Sequence, residues 1–213
     1  MHDLLHMYRE RNGNPGFWAE PLNAFTNLAF LLAAIAAWSL ARRRQALTEA
    51  TWTLIVLAAC IGTGSFLFHT CATAGTMWLD IIPIALFQVL FFWLSTRCLL
   101  RLSVPWSLGI VVSIIGLSFL AMPVRQPLNG SLFYLPALTG TLVIGGCVSR
   151  RRPEEPWLLP MAGLVFAVAI LARSIDKTAP LAMGTHFVWH LLNGLVLYLA
   201  MRAWILHVSS SRP

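Results

Sequence analysis

The sequence predicts an all-α, polytopic membrane protein folded as a seven-transmembrane-helix bundle, and three observations carry that expectation. Hydrophobic residues fill 58% of the 213 positions and charged residues only 11%, against about 25% charged in a soluble domain. The apolar residues fall in blocks close to the ~20 needed to cross a hydrocarbon core about 30 Å thick. Short polar or Pro/Gly-marked connections such as RRRQALTEA, MPVRQPLNG and RRRPEEP separate the blocks.

Seven spans are predicted, at approximately 22–41, 51–69, 77–99, 104–122, 131–148, 157–174 and 185–206, in a single domain covering 1–213. Residues 1–20 are polar and charged, without a basic start leading into a cleavable apolar core, so no signal peptide is expected. A net charge of +7 invites a nucleic-acid reading, but topology explains the basic residues better. With seven spans, Arg42, Arg43, Arg44, Arg97, Arg101, Arg150, Arg151, Arg152, Arg202 and Arg212 fall on one side. Arg9, Arg11, Arg125, Arg173 and Lys177 fall on the other. The positive-inside rule then puts the amino terminus outside and the carboxyl terminus in the cytoplasm of a cell (inner) membrane, with no nucleic-acid partner. Cys60, Cys71, Cys98 and Cys147 show no CxxC pair, so neither a disulfide framework nor a thiolate metal site is expected.

Span direction gives each polar residue a depth. The first span opens FWAEPLNAFTNLAF, in which Glu20, Asn23, Thr26 and Asn27 form a polar cluster that needs internal partners. Upstream, YRERNGNPG supplies Glu10, Asn12 and Asn14 as oxygen ligands suited to calcium, although capping and turn formation account for the same residues. Span two runs outward and ends GTGSFLFH, placing His69 at the outer end and Ser65 one turn deeper on the same face. Span three returns from TMWLD, which sets Asp80 about one turn below the surface. Span seven begins GTHFVWH, with His186 in its first turn and His190 one turn further in.

These groups share one depth. An ionisable side chain inside a membrane needs a partner within the bundle, so His69, Asp80, His186 and His190 are expected to converge on one polar pocket. Two imidazoles at i and i+4 reach a single cation, and a third from another helix completes a His₃ zinc set with an open position. HFVWH lacks the glutamate of HExxH proteases, which leaves Asp80 as the available carboxylate. His2, His6 and His207 are read as interfacial, Trp78 and Trp189 as boundary or wall aromatics, and Arg173 with Asp176 as a structural pair.

Ser-x3-His at 65 and 69, Asp80, and His-x3-His at 186 and 190, over seven spans with the amino terminus outside, resemble the alkaline ceramidase family. That family belongs to a wider group of membrane hydrolases that includes the progestin and adipoQ receptors. The resemblance implies a zinc-dependent amidohydrolase, with His69, His186 and His190 as ligands, Asp80 managing protons and Ser65 steadying the site or the oxyanion. The implied substrate is a ceramide-like membrane lipid, cleaved at its amide to sphingoid base and fatty acid. The AEPLNAFTNL stretch resembles the family's first helix, where Glu20 would contribute to a calcium site. The family's acidic residue shortly before its Glu-x-Asn is replaced here by His6, Met7 and Tyr8, so that only Glu10, Asn12 and Glu20 align. Minimal loops and arginine in place of lysine suit a bacterial homologue whose substrate need not be ceramide.

Two rival readings stand beside this one. A rhomboid-like serine protease would use GTGS and one histidine, leaving two of the three imidazoles dispensable. The other is a non-enzyme: a bis-histidine haem protein, a metal transporter, or a receptor in which the site merely stabilises the bundle. A transporter should carry polar residues on toward the cytoplasmic face, where mainly Gln88 and Asn193 occur.

Overall fold

A computed structural model describes residues 2–123 and 127–210, with the side chains of His2, Asp3 and Pro127 undescribed; Arg125 and Arg212 of the topological argument lie outside the described residues. All regular secondary structure described is helical. A short α1 (His2–Leu5) precedes α2 (Pro21–Thr26) and α3 (Leu28–Arg43), which form one run through Asn27. Then follow α4 (Glu49–Cys71), α5 (Ala74–Leu94, extended by a π turn at Ser95–Leu99) and α6 (Val104–Ala121). The stretch Pro127–Tyr134, left-handed at Leu128, Asn129 and Gly130, leads into α7 (Leu135–Ser149), with α8 (Leu158–Ser174) and α9 (His186–Ser210) after it.

Six of these runs are long and apolar enough to cross a membrane, and the chain is a multi-pass integral membrane protein. The block at 157–174 forms a shorter apolar helix of 17 residues, about 26 Å long at 1.5 Å per residue. The bundle's exterior is apolar, with Leu32, Ile35, Trp106, Val112 and Leu120 exposed, while polar groups such as Asn23, His69 and His190 lie inside. That inversion suits a hydrocarbon solvent.

Local chemistry sets the helix ends. The Thr48 side chain accepts from the Thr51 amide to start α4, and Thr73 with Thr76 makes a reciprocal capping box at the start of α5. Between them the chain turns at Ala72 in the left-handed region, φ 48°. Within α5, Pro83 has no amide to bond the carbonyl of Leu79, one turn upstream. Gly64 of α4 lies directly against that carbonyl, and any Cβ there would collide with it. The two backbones therefore approach closely beside Ser65 and Asp80.

Successive helices alternate in direction. The amino-terminal segment shares one end of the bundle with the α4 and α8 C-termini and the α9 N-terminus, through Arg11 to the His69 carbonyl, Tyr8 to Arg173, and Arg9 to Asp176. At the other end Arg44 pairs with Glu154 and Arg202 with Glu155.

Candidate metal centre

The three imidazoles converge. His69 near the end of α4 and His186 and His190 in the first two turns of α9 are each at most 2% exposed. Their ligand nitrogens lie within 4.8 Å of one another, and theirs is the grouping of three such residues able to hold a metal among those described. Ring centroids are 5.1 Å apart for His69–His186, 4.8 Å for His69–His190 and 4.6 Å for His186–His190.

Outer contacts set which nitrogen faces inward. His69 Nδ1 lies 2.6 Å from Glu20 Oε2, so it donates to the carboxylate; its Nε2 is buried without any partner. Thr26 donates its hydroxyl to the Leu22 carbonyl at 2.8 Å, so its oxygen accepts from His190 Nδ1 at 3.0 Å, again freeing Nε2. Both are the outer-shell arrangement of metal-ligating histidines. His186 differs, because its Nδ1 lies 3.4 Å from Arg173 Nη1, a group that only donates. His69 and His190 thus present neutral imidazole Nε2 atoms to a metal, the chemistry zinc favours, whereas the Arg173 contact at His186 Nδ1 leaves that ring's proton on Nε2, so His186 would ligate with the contact given up.

A small polar pocket of ≈ 20 Å³ adjoins the rings and is walled by Ser65, Asp80, Tyr134, Arg173 and Trp189 among others; it has room for one water-sized occupant. Asp80 is half-buried, and its side chain interacts with that of Ser65. On one side Tyr8, Asp80, Tyr134 and Arg173 also face a vestibule of ≈ 820 Å³ at the amino-terminal end of the bundle. On the other, Phe30, Ile61, Ile84, Tyr134 and Trp189 are shared with an apolar chamber of ≈ 70 Å³ that runs inward past Phe87, Ala162 and Val196. A vestibule of mixed lining, the polar pocket and the apolar chamber adjoin in that order.

Sequence reasoning missed the roof. Tyr8 stacks on His186, with centroids 3.9 Å apart and planes at 22°, and its hydroxyl accepts from Arg173 Nη1 at 3.2 Å. Burial pushes the Tyr8 phenol pKa up, which keeps it protonated. Arg173 and Asp176, expected as a pair, do not pair. Arg173 lies 5.4–5.6 Å from the ring centres of Tyr8, Tyr134 and Trp189, forms no ion pair among the described residues, and leaves its Nε without a partner. Asp176 instead accepts the amides of Thr185 and His186 at 2.8 and 2.9 Å on Oδ1 and that of Arg9 at 3.0 Å on Oδ2. It thus caps α9 where the histidines begin and ties the amino-terminal segment to it. Gly184, φ +67°, allows this close approach, since a Cβ would strike the Asp176 carboxylate. Trp189 is a wall aromatic as expected, whereas Trp78 is 46% exposed on the outside.

Glu20 and Glu10, aligned with a calcium site, are engaged with other groups of the protein. Glu20 Oε1 accepts from Arg11 Nε at 2.5 Å, and its Oε2 takes His69 and the Asn23 amide nitrogen Nδ2 at 3.0 Å. Glu10 spends both oxygens on the amides of Leu22 and Asn23, at 2.8 and 2.9 Å, while Asn12 is exposed. Burial raises the Glu10 pKa against those two hydrogen bonds. For Glu20 burial pushes the same way, but His69 and Arg11 outweigh it and hold the carboxyl below its ordinary range.

Among known proteins, no family model matches the chain. No curated protein matches it either.

Proposed function

We propose that the protein is an intramembrane zinc-dependent hydrolase of a lipid amide, of the kind the ceramidase resemblance implies. The observation that carries this reading is the junction of three buried imidazoles with a half-buried carboxylate, between a vestibule at the bundle end and an apolar chamber. His69, His186 and His190 would hold the ion, His69 and His190 through nitrogens oriented by Glu20 and Thr26. Zinc bound by three neutral imidazoles supplies a Lewis acid that makes water nucleophilic at neutral pH and polarises a carbonyl.

The chain's own groups manage the rest. The Asp80 carboxylate accepts the proton of the attacking water and returns it to the departing amine nitrogen, with Ser65 holding the carboxylate in place. The acyl chain lies in the chamber beside Phe87 and Val196, and the head group in the vestibule. Gln88, Thr141 and Asn193 are the polar groups deeper in the chamber; the Thr141 hydroxyl is spent on the Ala137 carbonyl at 2.8 Å and the Asn193 side-chain amide on the Trp189 carbonyl at 2.9 Å, which favours a closed pocket over a conduction path. The basic clusters support seven spans with the metal centre toward the non-cytoplasmic face.

The test is zinc per chain together with turnover of long-chain N-acyl lipids, on the same samples of wild type and His186→Ala. The expected outcome is about one zinc per wild-type chain, with metal and turnover lost together in the variant. Turnover without metal would favour the serine-protease reading. Metal without turnover of any lipid amide would favour a receptor or structural site.

A further inference from the structure

The amino-terminal segment ends against α4 in a cage of oxygen atoms with a single occupant, the Arg11 guanidinium, which is 1% exposed. Its Nε donates to Glu20 Oε1 at 2.5 Å; Nη1 donates to the carbonyls of Asn14 and Gly16 at 3.0 and 3.3 Å; Nη2 donates to those of His69 and Thr70 at 2.7 and 3.3 Å. A guanidinium has five N–H donors, so none is left over. The acceptors are one carboxylate oxygen and four main-chain carbonyls, which is the ligand chemistry of a hard cation such as calcium. Two of those carbonyls belong to the last turn of α4, where the helix carries partial negative charge.

We infer that Arg11 is a built-in cation: it joins the amino-terminal segment to the Glu20–His69 pair as a bound calcium ion would, so the imidazole site assembles without calcium. Charge balance supports the exchange. The cage contains a single carboxylate, Glu20, which a monovalent guanidinium neutralises, because Glu10 is already committed to the amides of Leu22 and Asn23. The contacts lie at hydrogen-bond lengths, not at the about 2.3–2.6 Å of calcium–oxygen bonds. Arg11 touches no reacting atom; it is a positioning residue that acts through Glu20 on His69.

The role of His69 here rests on the metal reading above, so the experiment has a metal-free arm. Full-length wild type, Arg11→Ala and Arg11→Lys are stripped of metal, and thermal midpoint and calcium binding are measured with and without millimolar calcium. Wild type should bind no calcium and keep its midpoint. Arg11→Ala should lose roughly 10 °C, the consequence of a buried carboxylate left without its cation, and either calcium or free guanidinium should restore part of that loss. Arg11→Lys should fall between, since an ammonium lacks the planar fork. Calcium bound by wild type, or a wild-type midpoint that calcium raises, would overturn the inference even if Arg11→Ala fails to fold. An Arg11→Ala midpoint equal to wild type would overturn it too. In a second arm, the visible absorption of added cobalt reports the imidazole site. Its loss in Arg11→Ala with recovery by calcium is the expected result, whereas its absence from wild type defeats the metal reading and leaves the calcium arm intact.

Discussion

Asp80 is the residue that separates a hydrolase from a structural metal site, because it lines the pocket beside the imidazoles without being one of the three ligands. Asp80→Asn should keep its metal content and lose lipid turnover by about 10²–10⁴-fold, the usual worth of a positioned acid–base group; unchanged turnover would sink the catalytic role. Glu20 works from the opposite side. Glu20→Gln keeps the shape but gives up the charge that orients His69 and pairs Arg11, so zinc affinity should fall roughly 10–100-fold in a competition titration. The sign of its pH effect follows from its lowered pKa. Unfolded chains bind the proton more readily, so Glu20 adds stability above its ordinary value of 4.5, and that stability is lost as pH falls through the lower folded value. Glu10, raised by burial, acts in the opposite sense. A midpoint scan of metal-free protein should therefore decline more steeply in acid for wild type than for Glu20→Gln.

Two contacts between elements aim these residues. The first is the close approach of α4 and α5 where Gly64 meets the carbonyl that Pro83 leaves free. Gly64→Leu should separate the helices, lower stability by about 1–3 kcal/mol as overpacking does, and reduce turnover, because Ser65 follows at once and Asp80 sits opposite. Denaturation in mixed micelles measures the first effect; full turnover in a well-folded variant would refute the second. The second contact is the Asp176 cap. Here the sequence contained the signal, an acid ten residues before His186, but its spacing from Arg173 fitted an i, i+3 ion pair equally well. Helix direction decided between them, since α8 ends at Ser174 and leaves Asp176 in the connection facing the start of α9. Asp176→Ala should cost about 1–2 kcal/mol by removing the cap.

Across the bundle, the succession of vestibule, pocket and chamber predicts how substrates are measured. Ala162 is fully buried and lines the chamber inward of the pocket. Ala162→Phe should shorten the acyl chain accepted while leaving zinc content unchanged, as a series of N-acyl lipids of graded length would reveal. An unaltered length preference would place the chain elsewhere.

Composition and block length were enough to read a helical multi-pass protein, because a hydrocarbon solvent forces apolar runs of bilayer length whatever lies between them. Shared depth likewise made His69, Asp80, His186 and His190 legible as one group, since helical rise converts sequence position directly into depth. The partners of that group were not legible. Tyr8 and Arg11 lie in an irregular segment without periodicity, and the segment's return over the bundle end, which brings Tyr8 onto His186 and Arg11 onto Glu20, depends on contacts between residues as much as 178 positions apart. Only packing of the folded chain selects among such long-range pairings, and that selection turned an expected calcium ligand into the counter-charge of an arginine.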